Sequence, residues 1–465
     1  MEPTTDIGTR RELFVDRYLI DSLKGTQLKL HHPIPGGEAI RYDTPWESAD
    51  GHSESFYTTV FKDDDLFRMY YRGHAHTICY AESADGINWT KPNLGLVEAG
   101  GTRANNVILA HSTHLAFGAF VDNKPGVPEA ERYKANLASG HIKGLEGYAS
   151  EDGIHWRKIQ DEPIAPGILP NHFDSQNVMF WSEIESCYLL YARHMAGSDR
   201  IRATARATSE DFLNWSESIP MAYSDTGSTT PSAHLYTNQT LPYFRAPQIY
   251  ISLAARIFFE RLALTGDEAC FAKNVGTPRA CKPGDCSDGV LLTTRPDSQT
   301  YDFTFQESFI RPGIGSPNWT TRTNYPALGV VQTGPTEMSL YVNRHYEQRS
   351  AHLERMTLRL DGFASVNAPF SGGEMISKLL RFSGQQLELN YATSAAGSIK
   401  IELLDAAGNP IPGYSLEDCR ALIGDEIERV VSWNGGSDLS SLAGQPVQVR
   451  FIMQDADLFS LRFVK

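Results

Sequence analysis

The sequence lacks any apolar run near the roughly 20 residues that a membrane-spanning helix requires. Its first residues, Met1-Glu2-Pro3-Thr4-Thr5, show neither a charged leader nor an apolar signal core. Cysteine is scarce, with six in 465 residues. Only Cys270, Cys281 and Cys286 cluster, and three at that spacing make neither an even disulfide set nor a zinc site. Positive charge is also short. Lys plus Arg number 42 against 56 Asp plus Glu, a net charge of −14. Nucleic acid phosphates demand a basic face, so nucleic acid is excluded as the expected partner, as is a membrane. His74-Ala75-His76 puts two imidazoles on one strand face, but no third ligand accompanies them. No metal or cofactor is expected.

What the chain has is a recurring signature. It reads Ser-Ala-Asp-Gly-Ile-Asn-Trp at 83–89, Ser-Glu-Asp-Gly-Ile-His-Trp at 150–156 and Ser-Glu-Asp-Phe-Leu-Asn-Trp at 209–215. Degenerate copies follow around Asp297 and Asp361. Successive Asp anchors are 67, 59, 86 and 64 residues apart. Asp-Gly between strand-like runs reads as a hairpin turn, with the next Trp packing the outer strand. Recurrence at near-constant spacing implies a repeated four-stranded unit, a propeller blade.

Period-two alternation fills in five such units, and a chain of 465 residues suits one large repeat domain plus a smaller one. The expectation is all-β: a five-bladed β-propeller over residues 1–370, with residues 12–20 and 26–31 as lead-in strands that close the last blade. Residues 371–465 then form an accessory β-sandwich of roughly 90 residues. Blade four is read as opening at Pro247, with a long surface loop between Glu260 and Cys286.

Residues just before the first strand of each blade, and those in the loop joining strands two and three, face the channel mouth of such a ring. These positions collect Glu47, Asp50, Glu54, His111, His114, His172, Asp174, His234, Arg245, Asp288, Arg322, Asn324 and His345, with Trp46, Tyr236 and Tyr243 nearby. Acids converging with aromatic faces suit sugar chemistry. Paired carboxylates do acid, base or nucleophile work on a glycosidic bond, and aromatics stack on the ring.

Several segments carry a family likeness: Glu12-Leu13-Phe14-Val15-Asp16, Pro45-Trp46-Glu47, Phe173-Asp174-Ser175-Gln176-Asn177 and His234-Leu235-Tyr236-Thr237-Asn238. Arg245-Ala246-Pro247, Asn324-Tyr325-Pro326-Ala327 and Ser415-Leu416-Glu417-Asp418-Cys419 complete it. On these the chain resembles the five-bladed propeller glycosidases, the group containing glycoside hydrolase families 32, 43 and 117. It is most similar to propeller-plus-sandwich hydrolase-like proteins of polysaccharide-degrading bacteria. The resemblance implies three acids at the funnel: a base or nucleophile on blade one, a tuning Asp on blade three and a general acid opening a later blade.

Asp174 matches the second of these, and Glu54 or Glu47 the first. At the third the chain departs, because Arg245-Ala246-Pro247 stands where the family has Glu-X-Pro, and an Arg cannot donate a proton at neutral pH. Asp288 is the substitute candidate. The implied catalytic set is therefore Asp174, Glu54 and Asp288. Glu47, Trp46, His234, Arg245, Asn324 and His345 are the substrate-binding candidates. Arg245 and Arg322 either pair with blade acids or hold a carboxylate or sulfate on the sugar. The implied activity is exo-acting removal of a terminal sugar from a polysaccharide-derived oligosaccharide, itself neutral or anionic. The alternatives are a non-catalytic glycan-binding propeller and a glycoside phosphorylase. A periplasmic or secreted location, with a signal peptide absent from this sequence, accompanies that reading.

Overall fold

The computed structural model describes residues 4–48, 53, 55–74, 76–110, 115–139, 144–166, 173–259, 261, 263–264 and 285–465. The described chain is built of strands and loops, with three one-turn 3₁₀ segments and no α-helix. It divides into two compact units. One comprises Pro33–Thr357; the other joins Met1–His32 to Leu358–Lys465.

Within Pro33–Thr357 the strands pair as five antiparallel groups. The first runs Phe56–Asp63, Leu66–Arg72, Thr77–Ser83 and Val107–Ala110. The second runs Leu115–Val121, Tyr133–Ser139, Gly144–Ser150 and Arg157–Lys158. The third runs Val178–Ser182, Cys187–Ala196, Ile201–Ser209 and Ile219–Pro220. In the fourth, the inner edge is His234–Thr237 followed by Thr240–Tyr243, both paired to Ala246–Phe258, which pairs Cys286–Thr294. The fifth runs Tyr325–Gln332, Glu337–Arg344 and His352–Arg359, and Ile34–Arg41 is its outer strand. The innermost strands touch their neighbours in cyclic order, one to five and back to one. This is a propeller ring, with its closing strand supplied from the N-terminal side.

Two repeating ties hold adjacent blades together. In the first, a tyrosine on the second strand of one blade grips the signature turn of the next. Tyr70 Oη donates to the Gly153 carbonyl at 2.9 Å, and Tyr341 Oη donates to the Gly86 carbonyl across the ring closure. In the second, an acid following one blade's inner strand accepts from a tyrosine on the next blade's second strand. The pairs are Asp63 with Tyr133, Asp122 with Tyr188 (2.7 Å) and Glu185 with Tyr250 (2.9 Å).

The signature turn itself is more elaborate than a two-residue hairpin. Asp85 Oδ1 accepts the N–H groups of Ile87 and Asn88, both at 2.8 Å, and Ser83 Oγ accepts that of Gly86 at 2.9 Å. Asp152 and Asp211 repeat this with their own neighbours. Only the residue after the Asp takes a positive φ, near 71°, 75° and 72° at Gly86, Gly153 and Phe212. The side chains satisfy turn N–H groups that a two-residue turn would never expose.

The inner strands approach so closely that glycine is required. A Cβ on Gly329 would lie 1.9 Å from the Val60 carbonyl oxygen, and the residue holds φ at 114°. On Gly118 it would lie 2.6 Å from the Asn177 carbonyl oxygen. A polar girdle crosses the channel between them. Gln176 Nε2 donates to Thr59 Oγ1 at 2.8 Å, and Gln239 Nε2 donates to Gln176 Oε1 at 2.8 Å and to the Pro326 carbonyl at 3.0 Å.

The second unit corrects the expected boundaries. Residues 12–13, 20–24 and 27–30 do not close the ring; they pair with Gln448–Val464, Gly373–Ser377 and Ala364–Ala368. Residues 364–368, expected within the propeller, belong here as well. The division thus falls at 32/33 and 357/358 in place of 370/371, and both ends of the chain build this unit. Long strands Gln386–Leu404 and Gln448–Val464 form its spine, over a core including Phe14, Leu389, Trp433 and Phe451. The fifth signature copy is not a blade turn. Asp361 is fully buried, accepting from Ser460 Oγ at 2.7 Å and lying 3.4 Å from Arg11. Alternation of period two marks a half-buried strand in either unit, so the pattern could not assign residues 12–31 and 364–368 to one or the other.

Candidate functional site

The mouth is defined by the residues that lead into the inner strands. On blade three, Asn177 Nδ2 donates to the carbonyls of Phe173 (3.0 Å) and Ser175 (2.9 Å), folding that loop tightly. The fold turns Gln176 into the girdle and leaves Asp174 outward, its side chain 59% exposed. Beneath it lies Arg193, 3% exposed, with Nη2 at 3.2 Å from Asp174 Oδ2. An exposed carboxylate thus stands on a buried cation.

Asp174 lines one pocket with Arg193, Arg202, His234 and Phe259. His234 Nδ1 accepts the Arg202 backbone N–H at 3.1 Å, and its ring meets Phe259 edge-on at 5.0 Å. Burial, and then the Arg202 charge, lower the His234 pKa from its ordinary value. Arg202 and Phe259 also line an adjoining cavity of about 160 Å³, together with Tyr236, Asp285, Thr321 and Arg322. The Arg202 guanidinium sits over the rings of Tyr236 (5.1 Å) and Phe259 (4.9 Å), a cation–π arrangement.

Blades one and five complete the rim. Arg72 lies over Phe56 at 4.1 Å, and both Arg72 and Arg322 reach the Tyr346 hydroxyl at 3.4 Å. Burial, then Tyr236 and Asp174, push the Tyr57 hydroxyl well above its ordinary pKa, while Arg72 and Arg322 oppose this. These side chains feel one another. Positive φ values at Tyr57, His76, Arg200, Arg322, Asn324, His345 and Glu347 all fall at this end of the blades. Such conformations cost energy outside glycine, and they collect where side chains are held for a task.

Of the predicted site residues, Asp174 and His234 come together here. Glu54 lies outside the described residues, as do Asp50, His111, His114 and His172. Other candidates are elsewhere or fully engaged. Glu47 is fully buried and accepts from Tyr71 Oη (2.5 Å), Lys91 Nζ (2.7 Å) and Thr44 Oγ1 (2.8 Å), so it braces its own blade. Trp46 packs into the core of that blade and donates to Asn106 Oδ1 at 2.7 Å. Asp288 is held by both prongs of Arg256, at 2.9 and 2.7 Å, leaving neither oxygen available for proton donation. Arg245 sits in the turn between Thr240–Tyr243 and Ala246–Phe258. Blade four's inner strand begins at His234 and its second at Ala246, so Arg245 is at the end of the channel away from the mouth. Asn324 is fully buried, donating to the carbonyls of Ser287 (2.8 Å) and Asn318 (3.0 Å). His345 bridges Ser350 Oγ (2.9 Å) and Asn318 Oδ1 (3.0 Å), and burial, then His352, lowers its pKa to about 4.

The arginines were the missed feature. Arg72, Arg193, Arg256 and Arg344 each stand near the end of a blade's second strand, in Met-Tyr-Tyr-Arg, Leu-Tyr-Ala-Arg, Leu-Ala-Ala-Arg and Tyr-Val-Asn-Arg. That recurrence is legible in the sequence once blades are aligned by strand two. Glu347, buried in the loop joining blade five's second and third strands, was also passed over.

No protein-family model matches the chain, and no curated protein matches it. Among solved structures the chain is similar to an N-acetylgalactosamine deacetylase from F. plautii in complex with blood group B trisaccharide. The identity there is 12%, with 73% of this chain and 97% of that one covered, at a TM-score of 0.46. A fructofuranosidase from Schwanniomyces occidentalis complexed with fructosylnystose shares 10% identity, over 93% of this chain and 98% of that one, at a TM-score of 0.40. An exo-β-1,3-galactanase from Phanerochaete chrysosporium with β-1,3-galactotriose shares 10% identity, over 93% and 100%, at a TM-score of 0.39.

Proposed function

We propose that the chain is a glycoside hydrolase that removes a terminal sugar from a polysaccharide-derived oligosaccharide. The observation that carries this reading is the mouth pocket, where the exposed Asp174 carboxylate rests on buried Arg193 in one pocket with the exposed ring of Phe259. A carboxylate against an aromatic wall is what a glycosidic bond needs for proton transfer and for stacking of the ring. The Gln176–Gln239 girdle supports the exo mode. Both glutamines follow mouth residues by a few positions and bridge the channel beneath them, so a glycan enters from one side only. Glycosidases work with two carboxyl groups. In this reading Asp174 is one, and Glu54, preceding the inner strand of blade one, is the other.

A panel of aryl glycosides and oligosaccharides, assayed for released monosaccharide, tests the proposal. Turnover by the wild-type chain that Asp174→Asn abolishes is the expected result. Glycan binding with no product from any substrate would leave a lectin, and release of a sugar phosphate only with added phosphate would make the chain a phosphorylase.

A further inference from the structure

Arginines crowd the mouth although the chain as a whole is acidic. Arg72, Arg193, Arg202 and Arg322 gather within it, and Asp174 answers only Arg193 in a described ion pair. Among the described residues, Arg202 and Arg322 make no ion pair at all. Arg202 rests on Tyr236 and Phe259, and Arg322 on Tyr346 at 5.6 Å. Guanidinium groups stacked on rings keep their edges, and hence their N–H donors, facing outward.

Two further donors are unused in the same place. Arg202 Nε and the Tyr325 hydroxyl are buried and make no hydrogen bond among the described residues. Tyr325 is 1% exposed and its ring lies 5.2 Å from that of Tyr236, which with Arg202 and Arg322 lines the 160 Å³ cavity. Buried polar groups are almost always satisfied, so the orphan Arg202 Nε on the cavity wall marks the place of an absent acceptor. Two guanidinium groups on one cavity call for an acceptor carrying negative charge and several oxygens.

We propose that the cavity between Arg202 and Arg322 is an oxyanion subsite that takes a carboxylate or sulfate ester carried by the glycan, with free phosphate as the competing source of the same chemistry. The inference rests on the glycan-processing reading for the identity of the ligand's carrier, but not for the anion site. Asp285 also lines the cavity, with Thr321 Oγ1 at 3.2 Å from its Oδ2. Its carboxylate opposes any anion in the cavity, and the two guanidinium groups must outweigh it.

The test is direct binding, independent of turnover. Sodium sulfate, inorganic phosphate, glucuronate and, as the neutral control, methyl glucoside are titrated into the full chain at constant ionic strength by calorimetry. Arg202→Gln, Arg322→Gln and, in the other unit, Arg381→Gln are compared, each checked for folding by its melting curve. The expected result is saturable binding of anions only, weakened at least about tenfold by either mouth variant and unchanged by Arg381→Gln. Glucuronate binding tighter than phosphate assigns the site to the glycan; the reverse assigns it to free phosphate. Absence of anion binding, or equal affinity in the mouth variants, overturns the proposal. Retained anion binding in a chain that hydrolyses no glycoside would reject the hydrolase reading and leave the subsite standing.

Discussion

Arg193, buried at 3% exposure, holds its Nη2 3.2 Å from the Oδ2 of Asp174, whose own side chain is 59% exposed. The arginine fixes the carboxylate from below and leaves its outer face to a ligand. Replacing Asp174 by Asn keeps shape and hydrogen bonding but removes the charge. Folding should survive while kcat falls about 10²- to 10⁴-fold on a substrate found by the glycoside panel. Arg193→Lys keeps the charge but loses the fork, so it should lower kcat less than Asp174→Asn does. An Asp174→Asn enzyme with near-wild-type kcat would remove Asp174 from the mechanism.

Gly329 makes the closest approach in the ring, where blade five's inner strand meets blade one's. An added Cβ would collide with the Val60 carbonyl, a backbone atom that cannot turn aside, and φ at 114° would strain any L-residue besides. Gly329→Ala should cost at least about 2 kcal/mol, combining overpacking and backbone strain. Gly435→Ala, whose Cβ meets nothing within 4 Å, is the comparison and should change little. Urea unfolding of both variants gives the answer, and equal midpoints would show that the ring relaxes freely there.

How much of this was legible in sequence depends on the kind of signal. The Ser-x-Asp signature marked blades one, two and three because its side chains must satisfy turn N–H groups, a local demand that leaves a local trace. Its degenerate copy at Asp297 likewise follows the third strand of blade four, but the copy at Asp361 misled, since Asp361 serves a buried network in the other unit. Assignment of the chain ends failed because strands at 12–13, 20–24 and 27–30 find partners more than 330 residues away. Pairing at such range leaves no periodicity to read. At the mouth, Asp174 and His234 were readable as residues leading into inner strands. Arg245 was misplaced because blade four's inner strand is broken in two around Asn238 and Gln239, which made Ala246–Phe258 look like the first strand.

Tyr341 and Tyr70 make the same tie at different places, Tyr341 to Gly86 at the ring closure and Tyr70 to Gly153 inside it. Removing the Tyr341 hydroxyl leaves the buried Gly86 carbonyl without its side-chain donor, which costs about 1–3 kcal/mol, whereas the Gly153 carbonyl keeps Trp156 Nε1 at 3.0 Å. Tyr341→Phe should therefore destabilise more than Tyr70→Phe. Hydrogen exchange separates their consequences: Tyr341→Phe should raise exchange along the Ile34–Arg41 and Tyr325–Gln332 strands, where blades five and one meet. Exchange raised equally around the whole ring would mean that the closure is no weaker than the other blade contacts.

Stability should fall in two acid steps, and His345 sets the first. Its folded pKa, lowered from 6.5 to about 4 by burial and then by His352, lies below that of the unfolded chain. His31, in the other unit, is lowered to about 4 by burial against the opposing pull of Asp457. Between these values the unfolded chain binds protons that the folded chain refuses, so the stabilisation is complete above pH 6.5 and is lost as pH falls toward 4. At His345, Asn318 Oδ1 accepts from Nε2, which leaves Nδ1 free to accept the Ser350 hydroxyl, and a proton on Nδ1 would displace that donor. The second step comes lower, from the signature aspartates. At Asp211 burial opposes the charge, but the side chain and backbone N–H of Asn214 outweigh it and hold the pKa at about 2, so stability is lost as pH falls below 3.8. His345→Asn suits the φ of 55°, which Asn tolerates, and removes one titrating group from the first step. Melting temperatures at pH 7 and pH 4.5 measure the effect: the wild-type drop should exceed that of His345→Asn, while below pH 3.5 the two should fall in parallel. Identical drops between pH 7 and 4.5 would show that His345 titrates alike in the folded and unfolded chain.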